Sequence, residues 1–404
     1  METINPKART TFRVPLVVRY LLYAFTFSLN FEYWEFLNIG SFTITKTIGI
    51  LLFVVTLLYS QKVLFKPDPS AWALLFIWLW SAIASVLNAY SNDELFDVFT
   101  GPLFTLLQCL CLFWIIQNFF HDKKTLINTL MAFAFGCFII ALLMFLGFGV
   151  KSELQRNGFE RLSLFGFNPN DFGLYMVLCV VIVMSVVLEN PSKLGDWRFL
   201  LLFGVPIVLK AAFASGSRGA LVALVLGLAT FSFARRSARK QLLVWGVMTA
   251  MGALIVLYIS NSDIQLLRWQ STIESGDSAG RSELWLVAFE KISEKPFSGW
   301  GFTGMSRCFQ QISDGFDPHN AFLAMFMLAG VVGGFLFLAI TSWWLLQAFE
   351  ARRTILGCLP LALVTVVLSV FIKGGSIYML KIVWVMLACV APMRRYWKSC
   401  EEPY

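Results

Sequence analysis

The chain has 404 residues, 58% of them hydrophobic and only 14% charged, with a mean hydropathy of +0.72 and a net charge of +8. A transmembrane helix takes ~20 residues, so this apolar content has room for ~12 of them. The composition excludes a soluble globular enzyme, a disordered chain and a disulfide scaffold, and long unbroken apolar runs exclude an outer-membrane barrel built from short alternating segments.

Twelve apolar runs follow one another along the chain, near 14–31, 42–60, 70–90, 101–120, 126–149, 170–188, 198–214, 219–234, 241–260, 320–349, 355–372 and 376–393. The first has no small-residue cleavage pattern after it and reads as a span rather than a signal. Placing the N-terminus in the cytoplasm puts Lys7, Arg9, Arg13, Lys62, Lys66, Lys123, Lys124, the Arg235–Lys240 cluster and Arg394–Arg395 on the cytoplasmic side. The opposite loops near 32–41 and 90–100 then hold no Lys or Arg. This asymmetry predicts twelve spans with both termini cytoplasmic. The expected fold class is therefore all-α, a single polytopic membrane domain over 1–404. Basic residues in cytoplasmic loops also account for the positive charge. No basic tract interleaved with aromatics suggests nucleic acid as a partner; membrane lipids are expected neighbours.

Two outer segments stand out. One is the 150–170 loop. The other is 261–319, the largest polar stretch. Within it, Arg281–Glu294 has apolar residues at 284, 285, 288, 289 and 292, which predicts an amphipathic helix on the membrane surface or on the bundle. Asp263–Ile273 is a weaker candidate. The run 320–349 exceeds what a bilayer needs and is expected to tilt or project. Of eight cysteines only Cys308 falls in an outer loop, and no Cys-x-x-Cys occurs.

Residues able to carry chemistry are few. The two histidines are His121, in Phe-His-Asp-Lys-Lys at a cytoplasmic helix end, and His319, in Asp317-Pro318-His319-Asn320 where a span begins. His121 reads as a solvated loop residue. Asp317 suits an N-cap and Pro318 a first helical turn. On that reading His319 lies in the first turn, where the helix dipole favours a neutral imidazole able to accept a proton.

Arg218 sits in Ser215-Gly-Ser-Arg218-Gly-Ala at the outer end of two spans. A cation at a helix N-terminus is disfavoured by ~0.3–1 kcal/mol unless an anion binds there, and amides, small residues and a guanidinium together form a phosphate cradle. Arg281 opens the amphipathic helix and invites the same reading, as does Arg161 before a span. The alternative for each is an arginine that merely snorkels or is solvated. Gly299-Trp-Gly-Phe-Thr-Gly304 matches G-x-G-x-x-G, but it follows Lys-Pro-Phe-Ser rather than a buried strand and reads as a tight turn. No Walker A, HExxH, nucleophile elbow, Asp-x-Asp or metal-ligand cluster is present, so neither metal nor cofactor is expected.

Four blocks then appear in the order found in the O-antigen ligase and O-antigen polymerase superfamily, which the chain resembles. They are Arg161 to Asn170 before a span; Ser215-Gly-Ser-Arg218-Gly-Ala between spans; Arg281-Ser-Glu-Leu-Trp285 through Pro296-Phe-Ser-Gly-Trp-Gly301 in the large loop; and His319-Asn320, nine residues, then Gly330-Val-Val-Gly333. The last spacing is that associated with the ligase branch.

The resemblance implies a metal-independent, inverting glycosyltransferase of the bacterial inner membrane. Its fold would be similar to the helical GT-C-type transferases, with the active site facing the periplasm. The donor would be a glycan on undecaprenyl pyrophosphate and the ligase acceptor a sugar hydroxyl of lipid A–core, in lipopolysaccharide biosynthesis. His319 would take or orient the acceptor proton, and Arg218, Arg281 and Arg161 would hold the pyrophosphate. A repeat-unit polymerase of the same superfamily is the nearest alternative. A membrane anion transporter is the alternative of another class, against which stands the lack of paired, broken helices in two halves.

Overall fold

The computed structural model describes residues 13–38, 42–154, 160–189, 195–233, 238–261, 266, 269–270, 274, 281–310, 317–354, 356–374 and 376–390. Helices dominate. Six are long and apolar enough to cross a membrane: Pro69–Leu87, Asn92–Phe119, Lys123–Phe145, Pro169–Glu189, Gly195–Ala214 and Ala321–Ala351. Shorter apolar helices lie at Leu16–Phe31, Ile44–Leu58, Arg218–Phe233, Val244–Ser260 and Leu359–Phe371. The last run, 376–393, yields the Lys381–Ala388 helix among the described residues. Each expected run thus coincides with a helix.

The bundle is apolar outside as well as inside. Leu58, Leu87, Phe203 and Leu242 are all at least 70% exposed, as suits a surface solvated by lipid rather than by water. The Pro169–Glu189 helix is the centre, buried along nearly its whole length. Small residues let its neighbours approach: a Cβ placed on Gly173 would lie 2.8 Å from Ser215 Oγ and 2.9 Å from the Ala220 Cβ.

The structure corrects one expectation and refines another. The fold is not wholly α: Val150–Leu154 and Glu160–Leu164 form an antiparallel hairpin, with Val150 opposite Leu164 and Leu154 opposite Glu160. The alternation in Glu-Arg-Leu-Ser-Leu is too short to stand out beside solid apolar runs, and it becomes a strand only through its partner.

The 320–349 run is a helix with a break in it rather than one continuous helix. Ala329 and Gly330 leave helical geometry inside Ala321–Ala351, with Gly330 at φ 64°. The peptide groups freed by the break are satisfied from the large loop: Trp300 N–H donates to Met327 O at 2.6 Å, and Val331 N–H donates to Pro296 O at 2.6 Å. Unsatisfied backbone groups are costly at membrane depth, so a break survives only where protein fills it. A Cβ on Gly299 would lie 2.6 Å from Gly330 N. Gly299 and Gly330 therefore serve one close backbone crossing, while Gly301 lies against the backbone of Ala84 and Ser85 in the Pro69–Leu87 helix. Gly299 and Gly301 both have positive φ, and Gly301 opens the short Gly301–Gln310 helix, which agrees with the tight-turn reading.

The expected amphipathic helix is present at Arg281–Glu294, with Leu284 and Ala288 buried. Trp300 Nε1 donates to Lys291 O at 2.7 Å, tying this helix to the turn that enters the break. Most of the 263–273 segment, apart from 266 and 269–270, and the Arg235–Arg236 and Arg394–Arg395 clusters lie outside the described residues.

Candidate active site

The four sequence blocks converge at one end of the bundle. Ser217 caps the Arg218–Ala229 helix, its side chain accepting from Ala220 N–H. This sets Arg218 in the first turn, beside amides that have no intrahelical acceptor. The turn before it is fixed by Arg161, which is buried on the second strand of the hairpin. Arg161 Nε donates to Ser215 O at 3.0 Å and Nη2 donates to Asn170 Oδ1 at 2.8 Å. Arg161 thus links the hairpin, the start of the central helix and the turn that presents Arg218. The sequence suggested an anion ligand; these contacts add the role of a brace.

Arg218 and Arg281 come together around a residue that sequence reasoning passed over, Lys373. It follows the Leu359–Phe371 helix, and a Cβ on Gly219 would lie 3.9 Å from the Cβ of Lys373. Its ammonium still reaches solvent. Partial burial, then the charges of Arg281 and Arg218, push its pKa below the ordinary lysine value. Three cations from three segments of the chain therefore share one region at a helix N-terminus. An anion seated among them would relieve that repulsion and receive both charge and directed N–H groups. A signal for Lys373 existed: Lys373-Gly-Gly-Ser closes an apolar run with the same small polar company as Ser-Gly-Ser-Arg218-Gly.

His319 is tied to the segment that carries Lys373 through Asp317 and Ser376, but it is not placed as its sequence suggested. The helix starts at Ala321 and its cap is Asn320, whose Oδ1 accepts from Phe322 N–H at 2.9 Å and Leu323 N–H at 3.1 Å. Asp317 is therefore not the N-cap, Pro318 is not in the first turn, and His319 precedes the helix. Asn320 wins because it stands at the residue where the chain turns into the helix and its short amide reaches the first free N–H groups.

Asp317 does something else. It is 5% exposed, and its Oδ1 accepts from His319 N–H at 2.7 Å and lies 3.3 Å from His319 Nδ1. Its Oδ2 accepts from Ser376 Oγ–H at 2.7 Å. Burial works to raise the Asp317 pKa, but the hydrogen bonds from His319 and Ser376 outweigh it and hold the carboxyl below the usual range. Ser376 lies three residues after Lys373, so one short segment reaches both the cation cluster and the Asp317–His319 pair.

The other histidine has no part in this. His121 packs edge-on against Phe65, ring centres 5.6 Å apart, in the turn before the Lys123–Phe145 helix.

Residues 203–338 match the family model described as O-antigen ligase. The match includes Arg218, Arg281 and His319 and leaves Arg161, Lys373 and Ser376 outside it. The match supports the superfamily resemblance over this stretch, about a third of the chain, within a mostly helical protein that has six helices long and apolar enough to cross a membrane. No curated protein matches the chain.

Proposed function

We propose that the protein is an O-antigen ligase: it transfers a glycan from undecaprenyl pyrophosphate to a sugar hydroxyl of lipid A–core at the periplasmic face of the bacterial inner membrane. The observation that carries this reading is that Lys373 feels the charges of Arg218 and Arg281, on a short segment whose Ser376 also holds Asp317, the partner of His319. In the reading, the twelve runs are twelve spans of one domain over 1–404, both termini are cytoplasmic, and 261–319 is the periplasmic loop. The three cations hold the donor pyrophosphate and stabilise it as it leaves. Their charge builds up where negative charge develops in the transition state, the arrangement that lowers a barrier most. Arg161 keeps the Arg218 turn in place.

His319 takes the proton of the acceptor hydroxyl. The acceptor oxygen forms its bond to the anomeric carbon as the bond from that carbon to the pyrophosphate oxygen breaks. Attack from the side opposite the pyrophosphate inverts the anomeric centre. The pyrophosphate departs with the electron pair.

A lipid-borne donor also suits the surroundings. An apolar groove lined by Met131, Phe138, Val180, Leu201 and Val208 lies between the Lys123–Phe145, Pro169–Glu189 and Gly195–Ala214 helices. Val208 is seven residues before Ser215, or about 10 Å of helix rise. A chain leaving the cation cluster along these helices would meet this groove.

Purified protein incubated with lipid-linked glycan and lipid A–core tests the reading. Glycan appearing on the core supports the ligase. Glycan appearing only on a second lipid-linked unit would make the protein a repeat-unit polymerase. Neither product, with anion flux in proteoliposomes, would make it a transporter.

A further inference from the structure

Asp317 is a buried carboxylate released from the capping work its sequence position suggests. A buried charge is retained only where partners replace water, and the partners of this one are specific. Two contacts go to a single residue, the His319 N–H at 2.7 Å and the His319 Nδ1 at 3.3 Å, and the third comes from Ser376 Oγ at 2.7 Å. The first closes an Asx-turn across Pro318. That turn holds His319 at φ 50°, a left-handed conformation that a residue with a Cβ rarely adopts. The same carboxylate therefore fixes both the main chain and the ring. With Nδ1 turned to Asp317, Nε2 is the nitrogen left for another partner, and the side chain is 44% exposed.

We propose that Asp317, itself held by Ser376, is the positioning residue of the reaction: it orients the His319 ring, fixes Nε2 as the proton acceptor and stabilises the imidazolium that forms. This rests on His319 being the base. The acceptor O–H proton goes to Nε2, and the Nδ1–H stays with His319, hydrogen-bonded to Asp317, which remains ionised throughout. Buried Tyr378 also feels the Asp317 charge, and Lys373 lies three residues before Ser376 on the same segment. Because the Asp317 carboxyl is held low, its contribution is complete above the ordinary carboxylate value of ~3.9 and is lost only as pH falls through its lowered value. It stays ionised across about pH 5 to 8, and any movement of the rate profile there belongs to the histidine.

The test compares Asp317→Asn, Ser376→Ala and His319→Ala in reconstituted transfer from lipid-linked glycan to lipid A–core. Asp317→Asn should lower kcat by at least about tenfold, leave the donor KM unchanged and move the acidic limb of the kcat/KM profile to lower pH. Ser376→Ala removes only the hydroxyl on Oδ2 and leaves the Asx-turn intact. It should lower kcat less and move the limb to higher pH, since a less satisfied carboxylate holds the imidazolium more tightly. Ser376→Thr should restore the wild-type profile. If Asp317→Asn unfolds, the Ser376 pair alone decides. Unmoved limbs in the folded variants, with His319→Ala inactive, would overturn the positioning role and leave the base standing. Full activity of His319→Ala would instead remove the base itself.

Discussion

The chain has two histidines, each with an aspartate within two residues, and the fold uses the two pairs in opposite ways. Next to His121, Asp122 caps the Lys123–Phe145 helix: its Oδ1 accepts from Lys124 N–H at 3.1 Å and its Oδ2 accepts from Thr125 Oγ1 at 2.8 Å. It also stands 3.7 Å from Arg19 Nε. The carboxylate serves the helix, and the histidine packs on Phe65. Next to His319, the helix is capped by Asn320, and Asp317 turns to the histidine. The surroundings differ in the same sense. Beside His121 the carboxylate faces the Arg19 cation; beside His319 the carboxylate faces the histidine ring itself. A local sequence of Asp and His thus says little until the capping position is known, because the residue that caps cannot also orient a ring.

Three experiments press on this contrast. The largest effect is expected from the histidines. His319→Ala should lose about 10²–10⁴-fold in transfer, the typical contribution of a general base, while His121→Ala stays near wild type. Equal losses in both would erase the contrast between the two ends. The next concerns the cations. Arg218→Ala should cost about 10²–10³-fold, as when a donor to transition-state charge is removed. Arg218→Lys should recover only part, since an ammonium lacks the bidentate fork. Lys373→Met should act in the same direction, and inorganic pyrophosphate should inhibit both variants less than wild type. Undiminished inhibition would mean that the cluster does not bind the leaving group. The smallest effect is expected at the far end: Asp122→Ala should lower stability by about 1 kcal/mol through the lost cap. A thermal melt in detergent would register it, and kcat should not change. A fall in kcat at unchanged stability would show that this pair is more than a cap.

Much of the site was visible in the chain because its members have to be unusual. Arg218, Arg281 and His319 are polar residues at the borders of apolar runs, and such residues persist there only for a reason. Lys373 was passed over because a single lysine between two spans looks like any loop charge; only the packing of the Leu359–Phe371 helix against the Arg218 helix brings it to the arginines. Arg161 was legible as an outer arginine but not as a brace, since its acceptors, Ser215 O and Asn170 Oδ1, lie on other elements. Asp317 was misassigned because Asp-Pro and His-Asn both fit a helix start, and choosing between Asp317 and Asn320 takes the backbone dihedrals.

The sequence by itself determined the class of molecule and the location of its helices, because burying backbone polar groups in an apolar solvent leaves a helix as the only structure for a long apolar run. It also determined the Arg281–Glu294 helix, whose period is set by local geometry. The tertiary structure decided the rest. The hairpin needs its partner strand. The break at Ala329–Gly330 needs Pro296 and Trp300 to take up the freed peptide groups, and Gly330 in the chain says only that a break is permitted. The gathering of Arg218, Arg281 and Lys373, and the turning of Asp317 toward His319, join residues up to about a hundred and fifty positions apart. Such contacts are set by how helices pack, and packing depends on shape across the bundle rather than on any local pattern.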